Sequence, residues 1–286
     1  MVYTKAKSLL RVPLTVPCGG CIGCRMQKAQ EWSTRIAHEA TLHEENSFLT
    51  LTYDDAHLPD NYSVSVREMQ LFLKRLRQEV GKPVRFFACG EYGDKGGRPH
   101  YHLILFGYGF PDRTVWRKSP SGFLLYRSQQ LEKVWPYGNS EIGTVTPSSG
   151  GYVARYVLKK VGGEPAAEHY ERLHPLTGEI VRVAPEFATQ SRNPGLGSGW
   201  IDKYADDCFP SDFIIQDGKK VPVPLYYSRK LEQFDEQRHT QLIRERRKEA
   251  HNPSNVANTT EERLETRQES AYLRAARLTR DLDQQE

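Results

Sequence analysis

The sequence holds no apolar run near the length of about 18 residues that a membrane-crossing helix needs. Lys5, Lys7, Arg11 and Pro13 break up MVYTKAKSLLRVPLTVP before an apolar export core can form, so neither export nor membrane anchoring is expected. A Walker-type phosphate loop is missing, which excludes the usual nucleotide-driven motor. Cysteine is scarce and odd in number, 5 in 286 residues, and three of the five crowd into CGGCIGC. That usage fits reduced thiols in a cytosol and excludes a secreted disulfide framework. No repeat recurs along the chain, and neither sign of charge dominates: 40 Lys and Arg against 36 Asp and Glu leave +4. Such mild basicity permits a polyanionic partner without requiring one.

What is present reads as a globular chain with 38% hydrophobic residues and 15 tyrosines. Ala29, Trp32, Ile36 and Ala40 recur at helical spacing and predict a helix from Arg25 to about Glu44. NSFLTLTYDD predicts a strand from Phe48 to Tyr53, and Ser65 and Gly81 bracket a helix carrying Met69, Phe72, Leu73 and Leu76. PVRFFACGE and HYHLILFG read as two strands joined by YGDKGGRP, a connection short enough to make them antiparallel. SEIGTVT is a fourth strand, and PSSGG opens a helix, YVARYVLKKV, that stops at Gly162 and Gly163. The architecture expected is α+β, a central antiparallel sheet with flanking helices. Four regions follow: a Cys-rich segment and helix over 1–45, a core over 46–164, a loop-rich extension over 165–228, and a helical region over 229–286. In the last, Leu264, Ala271, Ala275, Leu278 and Leu282 form a thin seam that either packs on the domain or serves an oligomer or DNA contact.

His100 and His102 share one face of a strand with Cα atoms about 6.6 Å apart, close enough for both imidazoles to reach one ion. Nine histidines in a chain of this length give roughly 0.25 His-x-His pairs by chance, so the spacing decides little by itself. Across the hairpin, any register whose paired numbers sum to 191 or 193 sets Glu91 opposite one of the histidines. Two imidazoles and a carboxylate leave coordination positions open, as a catalytic site requires, and suit Mn²⁺, Zn²⁺ or, less comfortably, Mg²⁺. Further on, Tyr152, Tyr156 and Lys160 fall at i, i+4 and i+8 and stack along one helical face.

The order of these features, FLTLTY, then Glu91, then His-Tyr-His, then GGYVARYVLKK with its two tyrosines, resembles the HUH endonuclease superfamily, whose core sheet is RRM- or ferredoxin-like. More narrowly, FLTLTYDD, CGEYGDKGGRPHYHLILFG and GGYVARYVLKK look like the replication-initiation proteins of gokushovirus-type microviruses, small circular single-stranded DNA phages. That resemblance runs from PCGGCIGCR to the tyrosine helix, and more weakly through SRNPGLG and VPVPLYY. It implies a rolling-circle initiator that nicks and rejoins single-stranded origin DNA through a 5′-phosphotyrosine. In that role Glu91, His100 and His102 would hold Mn²⁺ or Mg²⁺, Tyr152 and Tyr156 would be the nucleophiles, and Lys160 would neutralise a phosphate or leaving oxygen. Arg155, Lys159 and Arg192 become candidate DNA contacts. A host helicase and polymerase, in the cytoplasm of a bacterial host, would supply what the chain lacks.

Other readings stay open at this stage. The same chemistry serves plasmid initiators and relaxases, and a non-catalytic, zinc-containing nucleic-acid-binding protein would also explain the aromatic content and basic balance. Cys18, Cys21 and Cys24 could hold a structural Zn²⁺, lie as plain thiols in a tight loop, or serve a redox role. Their fourth partner would be distant: Cys89, Cys208, His38 or His43. SRNPGLGSGW could cradle a phosphate ahead of a helix near Trp200 to Tyr204 or be a turn only. Asp54 and Asp55 read as turn residues.

Overall fold

A computed structural model of the chain describes residues 3–7, 13–93, 96–120, 122–146, 151, 166–174 and 177–283. Tyr152, Arg155, Tyr156, Lys159 and Lys160 lie outside the described residues. A first hairpin, β1 (Tyr3–Lys7) with β2 (Pro13–Pro17), leads into α1 (Ile22–Ala40). Then come β3 (Asn46–Tyr53), α2 (Val66–Val80), β4 (Arg85–Tyr92), β5 (Pro99–Phe106), β6 (Thr114–Lys118), β7 (Leu124–Arg127), α3 (Gln129–Val134) and β8 (Gly138–Thr144). The rest comprises α4 (Ala166–His169), β9 (Glu171–Leu173), β10 (Ile180–Arg182), β11 (Phe187–Gln190), α5 (Ser198–Cys208), β12 (Phe213–Gln216) and β13 (Lys219–Pro222). Four helices close the chain: α6 (Leu225–Phe234), α7 (Glu236–Ala250), α8 (Pro253–Ala257) and α9 (Glu261–Asp283).

Seven strands form one sheet in the order β11-β4-β5-β3-β8-β7-β6, with every neighbouring pair antiparallel. This is the α+β architecture expected, with flanking and C-terminal helices. On β3 the pleat alternates, so Ser47, Leu49, Leu51 and Tyr53 are buried while Phe48, Thr50 and Thr52 turn to the other face. The buried face meets Met69, Phe72, Leu73 and Leu76 of α2, together with Leu131, Val134 and Trp135. Burying each such large side chain contributes about 1.5–3 kcal/mol. The boundaries of α2 follow its punctuation: Ser65 Oγ accepts the Glu68 N–H at 3.3 Å, and Gly81, at φ 71°, supplies the left-handed stop.

On the opposite face, Ile36 of α1 packs with Phe87, Cys89, Ile104 and Phe106, with Trp32 against the same group. Unlike β3, β4 and β5 are buried along nearly their whole length because both faces are covered. The segment 165–228 builds a second apolar cluster of Trp200, Ile201, Phe209, Tyr227 and Leu231, which also takes Leu242 of α7. α9 lies against α1 and buries Ala271, one residue of the thin seam.

Several boundaries differ from the expectation. α1 starts three residues earlier, at Ile22, because Cys21 takes the N-cap position, and it ends at Ala40. The break HNPSNVAN contains α8, capped by Asn252 with a proline in its first turn. The edge strands β6, β7 and β11 have no strong periodicity and come from tertiary pairing.

Candidate metal centre

β4 and β5 pair in the register whose numbers sum to 191: Glu91 lies opposite His100 and Cys89 opposite His102. That register places Glu91, His100 and His102 on the face that α1 covers. All three are buried, Glu91 completely. The Nε2 atoms of His100 and His102 each lie 2.9 Å from the same oxygen, Glu91 Oε1. One ligand atom from each residue falls within 4.8 Å of the others, a spacing that suits a single ion.

Hydrogen bonds from behind aim both rings. His100 Nδ1 lies 3.1 Å from the Arg98 carbonyl, which only accepts, so this nitrogen carries the proton and Nε2 keeps a lone pair. His102 Nδ1 lies 3.1 Å from Thr50 Oγ1 on the neighbouring strand. Such outer partners fix the tautomer of a ligating histidine and make it a better donor. Burial works against the charge on Glu91, but hydrogen bonds from His100 and His102 outweigh it and hold the carboxyl well below the usual carboxylate range. A buried anion between two oriented imidazoles is a donor set fit for a divalent cation.

Tyr101, between the two histidines, points to the opposite face, where burial raises its phenol and it touches Tyr53 Oη at 3.2 Å. It is therefore no attacker at this centre. Gly151, the residue ahead of Tyr152, is described: a Cβ built on it would meet Ser33 Oγ of α1 at 3.5 Å. The chain thus enters the tyrosine segment beside the helix that covers the metal face.

The remaining sequence candidates are dispersed. Asp54 is a turn residue that accepts from the His57 backbone and ring at 2.9 and 2.7 Å, and Asp55 pairs with Arg98. Arg192 is exposed, but the loop it belongs to is occupied by protein partners. Gly197 N–H donates to Glu39 Oε2 at 2.7 Å, Arg35 donates to the Leu196 carbonyl at 3.0 Å, and Arg85 reaches the Pro194 and Gly195 carbonyls. SRNPGLG is held as a latch between α1 and β4. Gly197 sits at φ 76°, and a Cβ there would stand 2.4 Å from Tyr227 Oη.

Cys18, Cys21 and Cys24 do converge, with their sulfurs within 4.8 Å of one another, and among the described residues no fourth ligand joins them. His38 is engaged elsewhere, stacked on Trp200 with ring centroids 3.5 Å apart and bonded to Tyr227 Oη at 2.9 Å. Cys89 and Cys208 sit in two separate apolar clusters. Sequence reasoning missed Thr50, Glu39 and Arg85. Only Thr50 had a signal, since the alternation in FLTLTY sets Thr50 and Thr52 on the face away from α2.

Comparison with known proteins agrees with this site. The model of a family of replication-associated proteins, described under the name ORF2, matches residues 46–161. Replication-associated protein VP4 of Bdellovibrio phage phiMH2K is 33% identical over 238 residues, 79% of this chain and 71% of that protein. Replication-associated protein ORF2 of Spiroplasma virus 4 is 28% identical over 250 residues, 82% of this chain and 73% of its own. ORF4 of Chlamydia phage 1, also a replication-associated protein, is 38% identical over 153 residues, 51% of this chain but 38% of its own. No solved structure matches. Among the described residues, no helix is long and apolar enough to cross a membrane.

Proposed function

We propose that this chain, which belongs to the family of phage replication-associated proteins, initiates rolling-circle replication by nicking one strand of origin DNA and later rejoining it. The observation that carries the reading is the convergence of two buried, pre-aimed imidazole Nε2 atoms on the one buried carboxylate oxygen of Glu91. Glu91, His100 and His102 would hold Mn²⁺ or Mg²⁺, which when bound supplies Lewis acidity to a non-bridging phosphate oxygen.

The chain's own residues do the rest. Tyr152 or Tyr156 attacks the phosphorus: the phenol oxygen forms the new P–O bond, the bond to the 3′ oxygen breaks, and the phenol proton ends on the 3′ hydroxyl. A phenol with its ordinary pKa near 10 is mostly protonated at neutral pH, so the charge that builds on phosphate must be stabilised if so weak a nucleophile is to succeed. The phosphotyrosine keeps the bond energy and leaves a free 3′ end to prime synthesis. With two tyrosines, the second can cut after one lap while the first still holds the old 5′ end. Lys160 is the cation for the phosphate or leaving oxygen, and Arg155, Lys159 and Arg192 are DNA contacts.

The strand would run across the sheet face. Register carries His102 to Thr50 and Thr50 to Glu141, and Arg117 on β6 pairs with Glu141 at 2.8 Å. Four strand steps separate β5 from β6, about 19 Å. The β6–β7 hairpin exposes Trp116 and Phe123 among Arg113, Arg117, Lys118 and Arg127, and residues 113–127 contain no acid. Aromatic faces between cations suit unpaired bases and their backbone. Unwinding and synthesis fall to a host helicase and polymerase in the bacterial cytoplasm.

A pool of single-stranded oligonucleotides labelled at the 3′ end tests this. With Mn²⁺ the label should move to the protein band and survive denaturation, and Tyr152→Phe/Tyr156→Phe should lose it. Cut DNA with free 5′ phosphates would mean an ordinary metallohydrolase, and binding without cleavage a non-catalytic DNA-binding protein.

A further inference from the structure

Outside the centre formed by Glu91, His100 and His102, one cluster of ligand-type side chains has no part in the nicking chemistry. Cys18, Cys21 and Cys24 gather at the N-terminal end of α1 as thiols outside any disulfide. The sulfurs of Cys18 and Cys24 lie 4.0 Å apart, and all three lie within 4.8 Å of one another. Ligands at a Zn–S distance of about 2.3 Å in a tetrahedron stand about 3.8 Å from each other, so the thiols are spaced as ligands of one ion are. The Cys21 backbone N–H also points at Cys18 Sγ, 3.3 Å away. Cys21 is the N-cap of a 19-residue helix and Cys24 lies in its first turn, so the positive end of that helix favours thiolate there. Burial and the neighbouring thiols outweigh that help and push Cys24 up to about 11, so a metal must drive off its proton.

We propose that these cysteines form a second metal site, a three-thiolate site for Zn²⁺ with its fourth position taken by water. Thiolates select zinc, whereas the carboxylate and imidazole donors of the other centre suit Mn²⁺ or Mg²⁺, so one chain can sort two ions by ligand softness. Loading exchanges three S–H bonds for three Zn–S bonds and releases three protons to solvent. The ion ties the segment ahead of α1 to its first turn, and the same helix carries Trp32, Ser33 and Ile36 to the face that holds His100 and His102. Its role is thus to brace the helix that covers the proposed catalytic face. This inference stands whether or not the nicking activity does.

The test uses the full chain with His100→Ala/His102→Ala, which silences the other centre, dialysed against Zn²⁺ alone and then against buffer. The expected result is one zinc per chain by elemental analysis, three thiols that become reactive only after a strong chelator is added, and a melting temperature that falls when zinc is removed. Adding Cys18→Ser, a half-buried position that the fold tolerates more readily than Cys24, should abolish zinc retention, as should the triple Cys→Ser variant. Replacing zinc by Co²⁺ should give thiolate-to-cobalt charge-transfer absorbance that the Cys18→Ser variant lacks. A chain that retains no zinc and whose three thiols react freely from the start overturns the proposal. So does full zinc retention in both cysteine variants.

Discussion

Thr50 of β3 and His102 of β5 face each other across the sheet, with Oγ1 3.1 Å from Nδ1. When Nε2 of His102 serves as a ligand, its proton sits on Nδ1 and is donated to the Thr50 hydroxyl. The threonine is therefore a positioning residue for the proposed ion. Thr50→Val keeps the shape of the β-branched side chain and removes the acceptor. Affinity for Mn²⁺ should fall about 10- to 100-fold with the fold intact. Manganese titration followed by electron paramagnetic resonance reads this, and an unchanged affinity would remove Thr50 from the account.

Glu39 should prove indispensable to the latch. Its side chain is 3% exposed and joins Arg85, His43 and the Gly197 N–H. Burial opposes its charge, yet those hydrogen bonds hold the carboxyl below the usual range. Glu39→Ala strands Arg85 beside an unsatisfied N–H and should cost about 3–5 kcal/mol in urea unfolding. A loss under about 1 kcal/mol would mean that the SRNPGLG loop is held by its other contacts.

Acid should weaken the α1–α5–α6 junction through His38. Burial lowers this imidazole to about 4 from an ordinary 6.5, so the folded state holds it neutral while the unfolded chain takes up a proton first. Stability is then fully present above pH 6.5 and is lost as pH falls towards 4, by about 2 kcal/mol at pH 4.5. His38→Phe should flatten that part of the stability-against-pH curve. Curves of equal slope for the two proteins would assign the acid loss to other groups.

On the β6–β7 hairpin, Trp116→Ala/Phe123→Ala should weaken binding of unpaired DNA. Both side chains are more than half exposed, and stacking on a base is worth about 1–3 kcal/mol per base. Fluorescence anisotropy with a single-stranded oligonucleotide should report roughly a tenfold loss or more. Equal binding by the variant would move the DNA path off this hairpin.

Much of the site was legible because it is local. Alternation places His100 and His102 on one face, the short YGDKGGRP connection forces an antiparallel pair, and the register summing to 191 then sets Glu91 beside them. Ser65 and Gly81 mark α2 through capping chemistry that acts over three or four residues. What stayed hidden is long-range. Glu39 meets Gly197 across 158 positions and Arg85 meets Gly195 across 110, and no local pattern announces either contact. β11 pairs at the sheet edge through Phe187, whose ring lies so close to Gly90 that a Cβ there would be 2.5 Å away, a fit that only the assembled sheet defines.

The central claim is that an ion on Glu91, His100 and His102 is needed for a tyrosine to take over a DNA phosphate. The most direct test measures protein–DNA adduct against added Mn²⁺ for the metal-stripped natural chain and for His100→Ala/His102→Ala, with single-strand binding recorded in parallel. The account predicts binding by both proteins and an adduct that rises with Mn²⁺ in the natural chain alone. Adduct formed by the histidine variant, or by the natural chain without divalent ion, would contradict it.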